Sequence, residues 1–376
     1  MDRRSLLKAA AASAATFAVP ACRSSRQRDA VLRDRSSCSL RPVRVSPDRE
    51  IRTITGLRPF RPSGFVVRPE MLGDTLVVHN YGHGGAGITL SWGTAKLAVD
   101  LVPSSHRGPV AVLGCGAVGL ATARLLQERG YAVTIYAKDL PPNTTSNVAG
   151  GQWFPFFVDD SRRRTPEFLS QLVAASEFAY RRYQILVGNR YGVRWMRNYL
   201  FSETRWADEG LLGLQSPLKS LLPELRDLPP EAHPFPRSPF VRQFDGLLIE
   251  PPVYLAAMLD DVRAAGASVR VIEIPDREAI RRLPERVVIN CTGLGAKALF
   301  GDDELVPVKG QLTFLLPQPE VDYAILNGEL YMFPRSDGIL LGGTHDRGVW
   351  TLDVDLAAKQ RILAGHRTFF NGFRTC

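Results

Sequence analysis

Val110-Ala111-Val112-Leu113-Gly114-Cys115-Gly116-Ala117-Val118-Gly119 is the stretch on which the reading of this chain turns. Four apolar residues make a short buried-strand pattern. Glycines then follow at positions one, three and six. An amphipathic run from Leu120 to Arg129 continues as a helix and stops at Gly130, and Tyr131 to Tyr136 alternates as a second strand. Strand, glycine-rich turn, helix and strand together are the context that makes this spacing specific for a dinucleotide. The glycines let the backbone turn tightly and approach a pyrophosphate, and the helix N-terminus offers free N–H groups with partial positive charge. Gly114, Gly116, Ala117, Val118 and Gly119 are therefore cofactor-contact candidates. The second strand ends in Tyr136-Ala137-Lys138-Asp139. An acid at this point would hold a ribose. Either Asp139 serves one residue late, or Lys138 lies near the phosphates.

Working outward, 376 residues with 45% hydrophobic and 23% charged side chains fit a soluble protein of two or more domains. No apolar run reaches the roughly 18 residues of a spanning helix. The net charge is +9, but of 47 basic and 38 acidic residues, 11 and 4 fall in residues 1–49; the rest holds 36 and 34, a net of +2. The basicity belongs to the leader, which argues against a nucleic-acid partner. Five cysteines without a CxxC or HExxH arrangement give neither a disulfide scaffold nor a metal site.

The chain opens Met1-Asp2-Arg3-Arg4-Ser5-Leu6-Leu7-Lys8, then a weakly apolar run from Ala9 to Val19, then Pro20-Ala21-Cys22. Paired arginines before such a run resemble a twin-arginine export signal. Cys22 resembles the acylated residue of a bacterial lipoprotein, a possible lipid anchor. An ordinary secretory signal cleaved near Ala21, or a basic N-terminus, are the alternatives. The expectation is a signal peptide over 1–21, a flexible tether over 22–49, and an exported, periplasmic or cell-surface protein.

A second glycine set lies at Gly82, Gly84, Gly85 and Gly87, followed by a helix-like run to Val102. It reads either as another helix N-terminus aimed at a ligand or as a turn before a core helix.

With these blocks in view the sequence resembles the D-amino-acid oxidase family. His79-Asn80-Tyr81-Gly82 through Gly93-Thr94-Ala95 is similar to that family's signature. Thr144-Thr145-Ser146-Asn147-Val148-Ala149-Gly150-Gly151-Gln152-Trp153 resembles its flavin-embracing turn, and Asn290-Cys291-Thr292-Gly293 the strand end that closes the cofactor site. Gly56-Leu57-Arg58-Pro59-Phe60-Arg61-Pro62 and Tyr331-Met332-Phe333-Pro334, with Gly342-Gly343-Thr344, resemble its substrate-side strands. The resemblance covers roughly residues 50–376. It implies FAD as cofactor and an α/β fold with a Rossmann-like FAD-binding domain (64–152 and 246–305). A large, mostly antiparallel sheet would form a substrate domain (50–63, 153–245 and 306–376). It implies oxidation of a D-amino acid to the imino acid, with oxygen, or another electron acceptor, taking the electrons. A flavin-binding lipoprotein without turnover and an oxidase of glycine or another amine are the alternatives. The oligomeric state is not specified.

The same resemblance assigns roles. Arg58 would pair with the substrate carboxylate, with Tyr331 donating to it and the Gly85 carbonyl accepting from the amine. Gly84, Gly85, Ala86, Gly87, Ile88 and Thr89 would meet the flavin. Thr144, Thr145, Ser146, Gly150, Gly151, Gln152, Ile274 and Thr292, with Lys138 and Asp139, would complete the cofactor contacts. Phe154 and Asn327 stand where the family's pattern has other pocket residues. Arg61 reads as structural and Arg335 as either a pocket or an exposed loop residue. His345 reads as a surface strand residue, and Cys115 and Cys291 as core thiols.

The family's fingerprint comes first in its chains, whereas here it follows the Arg58 and His79 blocks. This implies a circular permutation joined through Pro103-Ser104-Ser105-His106-Arg107-Gly108. That reading places Cys38 and Cys376 on either side of the cut and leads to the expectation of a disulfide between them.

Overall fold

A computed structural model describes residues 39–236 and 238–374. The leader, Cys22, Cys38 and Cys376, and with them the expected signal, anchor and disulfide, lie outside the described residues.

Two sheets organise the described chain. The smaller runs, in spatial order, Val66–Leu72, Thr75–Tyr81, Val287–Asn290, Val110–Leu113, Val133–Ala137 and Ser268–Val271. All its neighbours are parallel except the edge strand Val66–Leu72. Its central strands are short apolar runs, as a parallel sheet covered on both faces requires. The fingerprint strand Val110–Leu113 is buried throughout and feeds the helix Ala117–Glu128. The helix Gly87–Asp100 packs beside it, and Pro166–Ile185 packs on Gly87–Asp100 in turn. At that crossing a Cβ on Gly93 would stand 1.9 Å from the Ala175 carbonyl oxygen, so only glycine allows the approach.

The larger sheet has nine strands and is mostly antiparallel. Its order is Glu50–Phe60, Val306–Leu315, Gly338–Gly342, Leu330–Arg335, Tyr323–Asn327, Val193–Ser202, Phe240–Ile249 and Arg226–Leu228; Asp346–Arg347 pairs on Val306–Leu315. Tyr323–Asn327 and Val193–Ser202 are its parallel pair. The helix Leu356–Asn371, begun by an Asp355 cap, lays Ile362, Leu363, Phe369 and Phe370 on this sheet.

Two expected boundaries change. Residues 39–49 are not a tether: Val43 and Val45 are buried against the large sheet. Tyr323 donates to the Arg41 carbonyl at 2.7 Å, and Gln318 bonds the backbone of both Pro42 and Arg44. A tether cannot bury valines; these alternate with Arg41 and Arg44, a pattern masked by the charge around it. Residues 246–249 continue the large-sheet strand Phe240–Ile249, in register with Val193–Met196. The helix Pro166–Ile185 packs on Gly87–Asp100 and also reaches the large sheet, where the Tyr180 ring lies 6.3 Å from that of Trp195.

Candidate functional site

The carboxyl ends of the parallel strands open into one cavity of about 960 Å³. Ligands of open parallel sheets collect at such strand ends. Leu113, Tyr136, Ala137, Asn80, Tyr81, Cys291 and Thr292 all reach it from those ends, and the large sheet closes it with Arg58, Gly310, Leu326 and Tyr331.

The fingerprint forms the inner cradle. Gly114 takes φ +101, and a Cβ there would lie 2.5 Å from the Cys291 carbonyl oxygen. Gly119 does not line the cavity; a Cβ on it would lie 2.0 Å from the Gly114 oxygen, so it serves close packing of helix on turn. The helix Ala117–Glu128 has no acidic residue in its first turn, and Ala117 N–H donates to Ser146 Oγ at 3.1 Å. Its N-terminus is electrically free for an anion. Thr144, Thr145, Ser146, Gly150, Gly151 and Gln152 cross the cavity, as do Lys138, Asp139, Ile274 and Thr292. Asn290 shapes this end by accepting from Thr292 N and Oγ1 at 3.2 and 2.7 Å. At the second strand's end, Lys138 pairs at the surface with Glu273 at 3.2 Å, and Glu273 also borders the cavity. Glu273 is thus a second acid at this strand end that the sequence pattern did not single out.

The second glycine set turns a second helix toward the same space. Gly84, Gly85, Gly87 and Ile88 line the cavity, whereas Ala86 is buried in an apolar cluster and Thr89 Oγ1 donates to the Phe154 carbonyl. Those two therefore support the turn from behind. Gly85 N–H donates to the Phe157 carbonyl at 2.9 Å, and a Cβ on Gly84 would stand 2.2 Å from that oxygen. Phe157 itself sits at φ +55, a strained conformation held by stacking on Phe60 at 4.6 Å. The helix Gly87–Asp100 carries no side-chain cap and no acid in its first turn. Two uncapped helix N-termini and a glycine-floored channel fit an elongated anionic dinucleotide.

At the large-sheet end, Arg58 Nη2 donates to the Tyr331 hydroxyl at 3.2 Å and Nη1 to the Thr344 carbonyl at 3.2 Å. Among the described residues no carboxylate stands within ion-pair distance of Arg58. Room for both side chains comes from glycine. A Cβ on Gly310 would lie 2.4 Å from Arg58 Nη1, and one on Gly342 would lie 2.0 Å from the Tyr331 ring. Gly310 carries no motif and was not marked in the sequence; its role follows from its register one strand from Arg58. Arg61, by contrast, is locked to Asp302 at 2.8 Å and Glu304 at 2.7 Å, a structural ion pair.

Three placements differ from expectation. Asn327 does not line the cavity; alternation along Tyr323–Asn327 brings Leu326 to that wall, with Gly328 at the turn. Arg335 is neither pocket nor exposed loop: it is buried, forks onto Asp337 at 2.9 Å and donates to the Ala149 carbonyl, bracing the turn that holds Gly150 and Gly151. His345 borders the cavity beside Arg58 and packs on Phe157. Loss of hydration, and then the Arg58 charge, push its pKa down to about 4, so the ring is neutral at neutral pH. Cys115 and Cys291 are buried free thiols, each pushed up to about 12 by burial. Among the described residues no group of His, Cys, Asp and Glu is placed to hold a metal ion, and no helix is long and apolar enough to cross a membrane.

Comparison with known proteins agrees with this geometry. The family DAO, FAD dependent oxidoreductase, matches residues 22–101 and 109–375. A D-amino-acid oxidase of Rubrobacter xylanophilus is 31% identical over 263 residues, covering 67% of this chain and 74% of that protein. Human D-aspartate oxidase is 28% identical over 271 residues, covering 68% and 74%. Among solved structures, glycine oxidase from Geobacillus kaustophilus superposes with a TM-score of 0.53 at 18% identity over 72% of this chain and 80% of its own, a likeness of fold.

Proposed function

The chain belongs to the DAO family of FAD-dependent oxidoreductases, with FAD as its cofactor, and from that premise we propose that it oxidises D-amino acids to imino acids. The imino acid hydrolyses to the 2-oxo acid, and oxygen takes the two electrons to give hydrogen peroxide. The observation that carries this reading is Arg58. It is a half-buried guanidinium with no counter-ion among the described residues, joined to Tyr331 inside the cavity. A cation kept there unpaired is matched to an anion that arrives from solution, and a carboxylate fits its planar fork.

FAD, when bound, would supply the two-electron acceptor. The protein's residues supply position. Arg58 has five N–H donors and spends two on Tyr331 and Thr344, leaving others for a carboxylate. By accepting from Arg58, the Tyr331 oxygen leaves its own proton free to donate to the same carboxylate. The Gly85 carbonyl, whose peptide is fixed by Ala86 N–H donating to the His83 carbonyl at 3.0 Å, accepts from the amine. With carboxylate and amine held at two points, the side chain's wall fixes where the Cα–H points, which distinguishes D from L. The names of the relatives, D-amino-acid oxidases and D-aspartate oxidase, favour the same substrates.

The test is oxygen uptake and peroxide release by FAD-loaded enzyme over D/L pairs of amino acids. Turnover of D members with one peroxide per oxygen supports the reading; turnover confined to L members or to glycine overturns it.

The order of the blocks supports a circular permutation: the matched family regions skip residues 102–108, which contain the expected join 103–108. Leu40 and Phe373, near the two ends of the described chain, pack against one apolar cluster, as ends flanking a cut would. A Cys38–Cys376 disulfide would close that cut, and peptide mapping of exported protein without reductant tests it. The Arg3-Arg4 leader and Cys22 support export and anchoring at the cell envelope. Retention of an Arg3→Lys, Arg4→Lys variant in the cytoplasm would support that, and unchanged fractionation would refute it.

A further inference from the structure

One row of cross-strand neighbours starts at the carboxylate anchor and runs across the large sheet. Tyr331 pairs with Leu326, Leu326 with Leu200, Leu200 with Arg242, and Arg242 with Asp227. Cross-strand partners share a face, and adjacent strands lie about 4.8 Å apart. Leu326 and Leu200 therefore pave roughly 10 Å of apolar floor beyond Tyr331, and both border the cavity. Phe154 meets the same face, its ring 6.3 Å from Phe244, which lies two residues along the strand from Arg242.

The floor ends at a wall from the loop that follows Ser202, where Trp206 and Leu212 reach the cavity. Arg242 holds that wall. It is 1% exposed, and its guanidinium lies 4.6 Å from the Trp206 ring centre. Nη1 donates to the Leu212 carbonyl at 2.7 Å, while Nε and Nη2 fork onto Asp227 at 2.6 and 2.9 Å. Three of its five N–H donors are spent, and Arg242 lies behind the wall and does not itself line the cavity, so its charge is turned away from a ligand. The remaining charged residues at the cavity's edge, Lys138, Asp139 and Glu273, belong to the opposite end, beyond Val133–Ala137.

We propose that this row is the substrate side-chain subsite, taking bulky apolar or aromatic D-amino acids in preference to acidic ones, with Arg242 as the positioning residue of its end wall. The proposal rests on the D-amino-acid reading above. A second carboxylate lying on Leu326, Leu200 and Trp206 would lose water and meet no cation, with only the Trp206 indole N–H to donate to it. A phenyl or indole group would bury its whole face.

The experiment measures kcat and KM of the FAD-loaded enzyme for D-phenylalanine, D-tryptophan, D-alanine, D-aspartate and D-glutamate. Calorimetric binding of 3-phenylpropionate and of succinate adds a readout free of turnover. The expected result is kcat/KM at least about tenfold higher for D-phenylalanine than for D-alanine, with the acidic substrates lowest. 3-Phenylpropionate should bind at least about tenfold tighter than succinate. Trp206→Ala should raise KM for D-phenylalanine about tenfold and leave D-alanine within about twofold. Arg242→Lys keeps the charge but cannot fork and stack together, and should raise KM for aromatic substrates with kcat nearly unchanged. A best substrate that is acidic, or a Trp206→Ala loss equal for D-alanine and D-phenylalanine, overturns the proposal. Tight 3-phenylpropionate binding that Trp206→Ala abolishes, with no turnover of any D-amino acid, upholds the subsite and overturns the D-amino-acid reading instead.

Discussion

Replacing Arg58 with methionine separates substrate binding from cofactor binding. The methionine keeps most of the volume of the side chain but removes its donors. Arg58 makes two hydrogen bonds at 3.2 Å, to Tyr331 and to the Thr344 carbonyl, and no ion pair among the described residues. Its loss should therefore cost little stability, and the Tyr331 ring stays placed by its stack on Phe333 at 5.3 Å. With substrate bound the situation differs. A carboxylate enclosed by the cavity loses its charged partner, at a cost of about 3–5 kcal/mol. At 1.4 kcal/mol per decade this is roughly a 10²- to 10³·⁵-fold drop in kcat/KM. The fingerprint lies on the other sheet, so flavin content should match wild type. The assay is peroxide release under limiting substrate, with the flavin-to-protein absorbance ratio measured on the same sample. A variant that keeps its flavin and loses less than about threefold in kcat/KM would refute the carboxylate assignment.

Tyr331→Phe keeps the ring and loses one charge-assisted donor to substrate, so kcat/KM should fall roughly tenfold, less than for Arg58→Met; equal turnover would remove Tyr331 from the site. Gly114→Ala places a Cβ 2.5 Å from the Cys291 oxygen at φ +101, and should yield folded protein that purifies without yellow colour; full flavin loading would contradict the cradle. Acid should weaken the fold through histidines held neutral. Burial pushes His83 down to about 3 and His366 to about 4, against an ordinary value of 6.5. As pH falls through 6.5 the unfolded chain takes up these protons while the folded protein refuses them until pH 3–4, so stability is full above 6.5 and declines across that window. Thermal melts from pH 8 to 4 should show this, and a His83→Gln variant should have a shallower decline; an unchanged slope would dismiss His83 as a contributor.

The cofactor half of the site was legible because its chemistry is local. Gly114-x-Gly116-x-x-Gly119 sits between a strand and a helix within one short segment, and steric demands on a turn are written in the residues that make it. The substrate half was legible only in its motifs. Arg58 and Tyr331 stand 273 positions apart, and nothing in either segment states that Gly310 and Gly342 clear space for them. Those glycines matter through strand register, which belongs to the sheet. The misplacement of Asn327 has the same origin: side chains alternate along a strand, so a shift of one residue exchanges Asn327 for Leu326 at the wall. Arg335 and His345 read as loop or surface residues because charge usually means exposure, yet a fork onto Asp337 pays for the burial of one and the cavity's own edge shelters the other. Residues 39–49 looked like a tether because arginines outnumber the two valines that anchor them.

The central claim is that a D-amino acid held by Arg58 delivers its electrons to the bound cofactor. The most direct measurement mixes FAD-loaded enzyme with excess D-phenylalanine in the absence of oxygen and follows flavin absorbance, with L-phenylalanine as control. The account predicts rapid, complete loss of the oxidised flavin band with the D enantiomer, none with the L, and loss slowed by orders of magnitude in Arg58→Met. An oxidised band that persists with D-phenylalanine and with every other D-amino acid tried, in protein that demonstrably carries flavin, would contradict it.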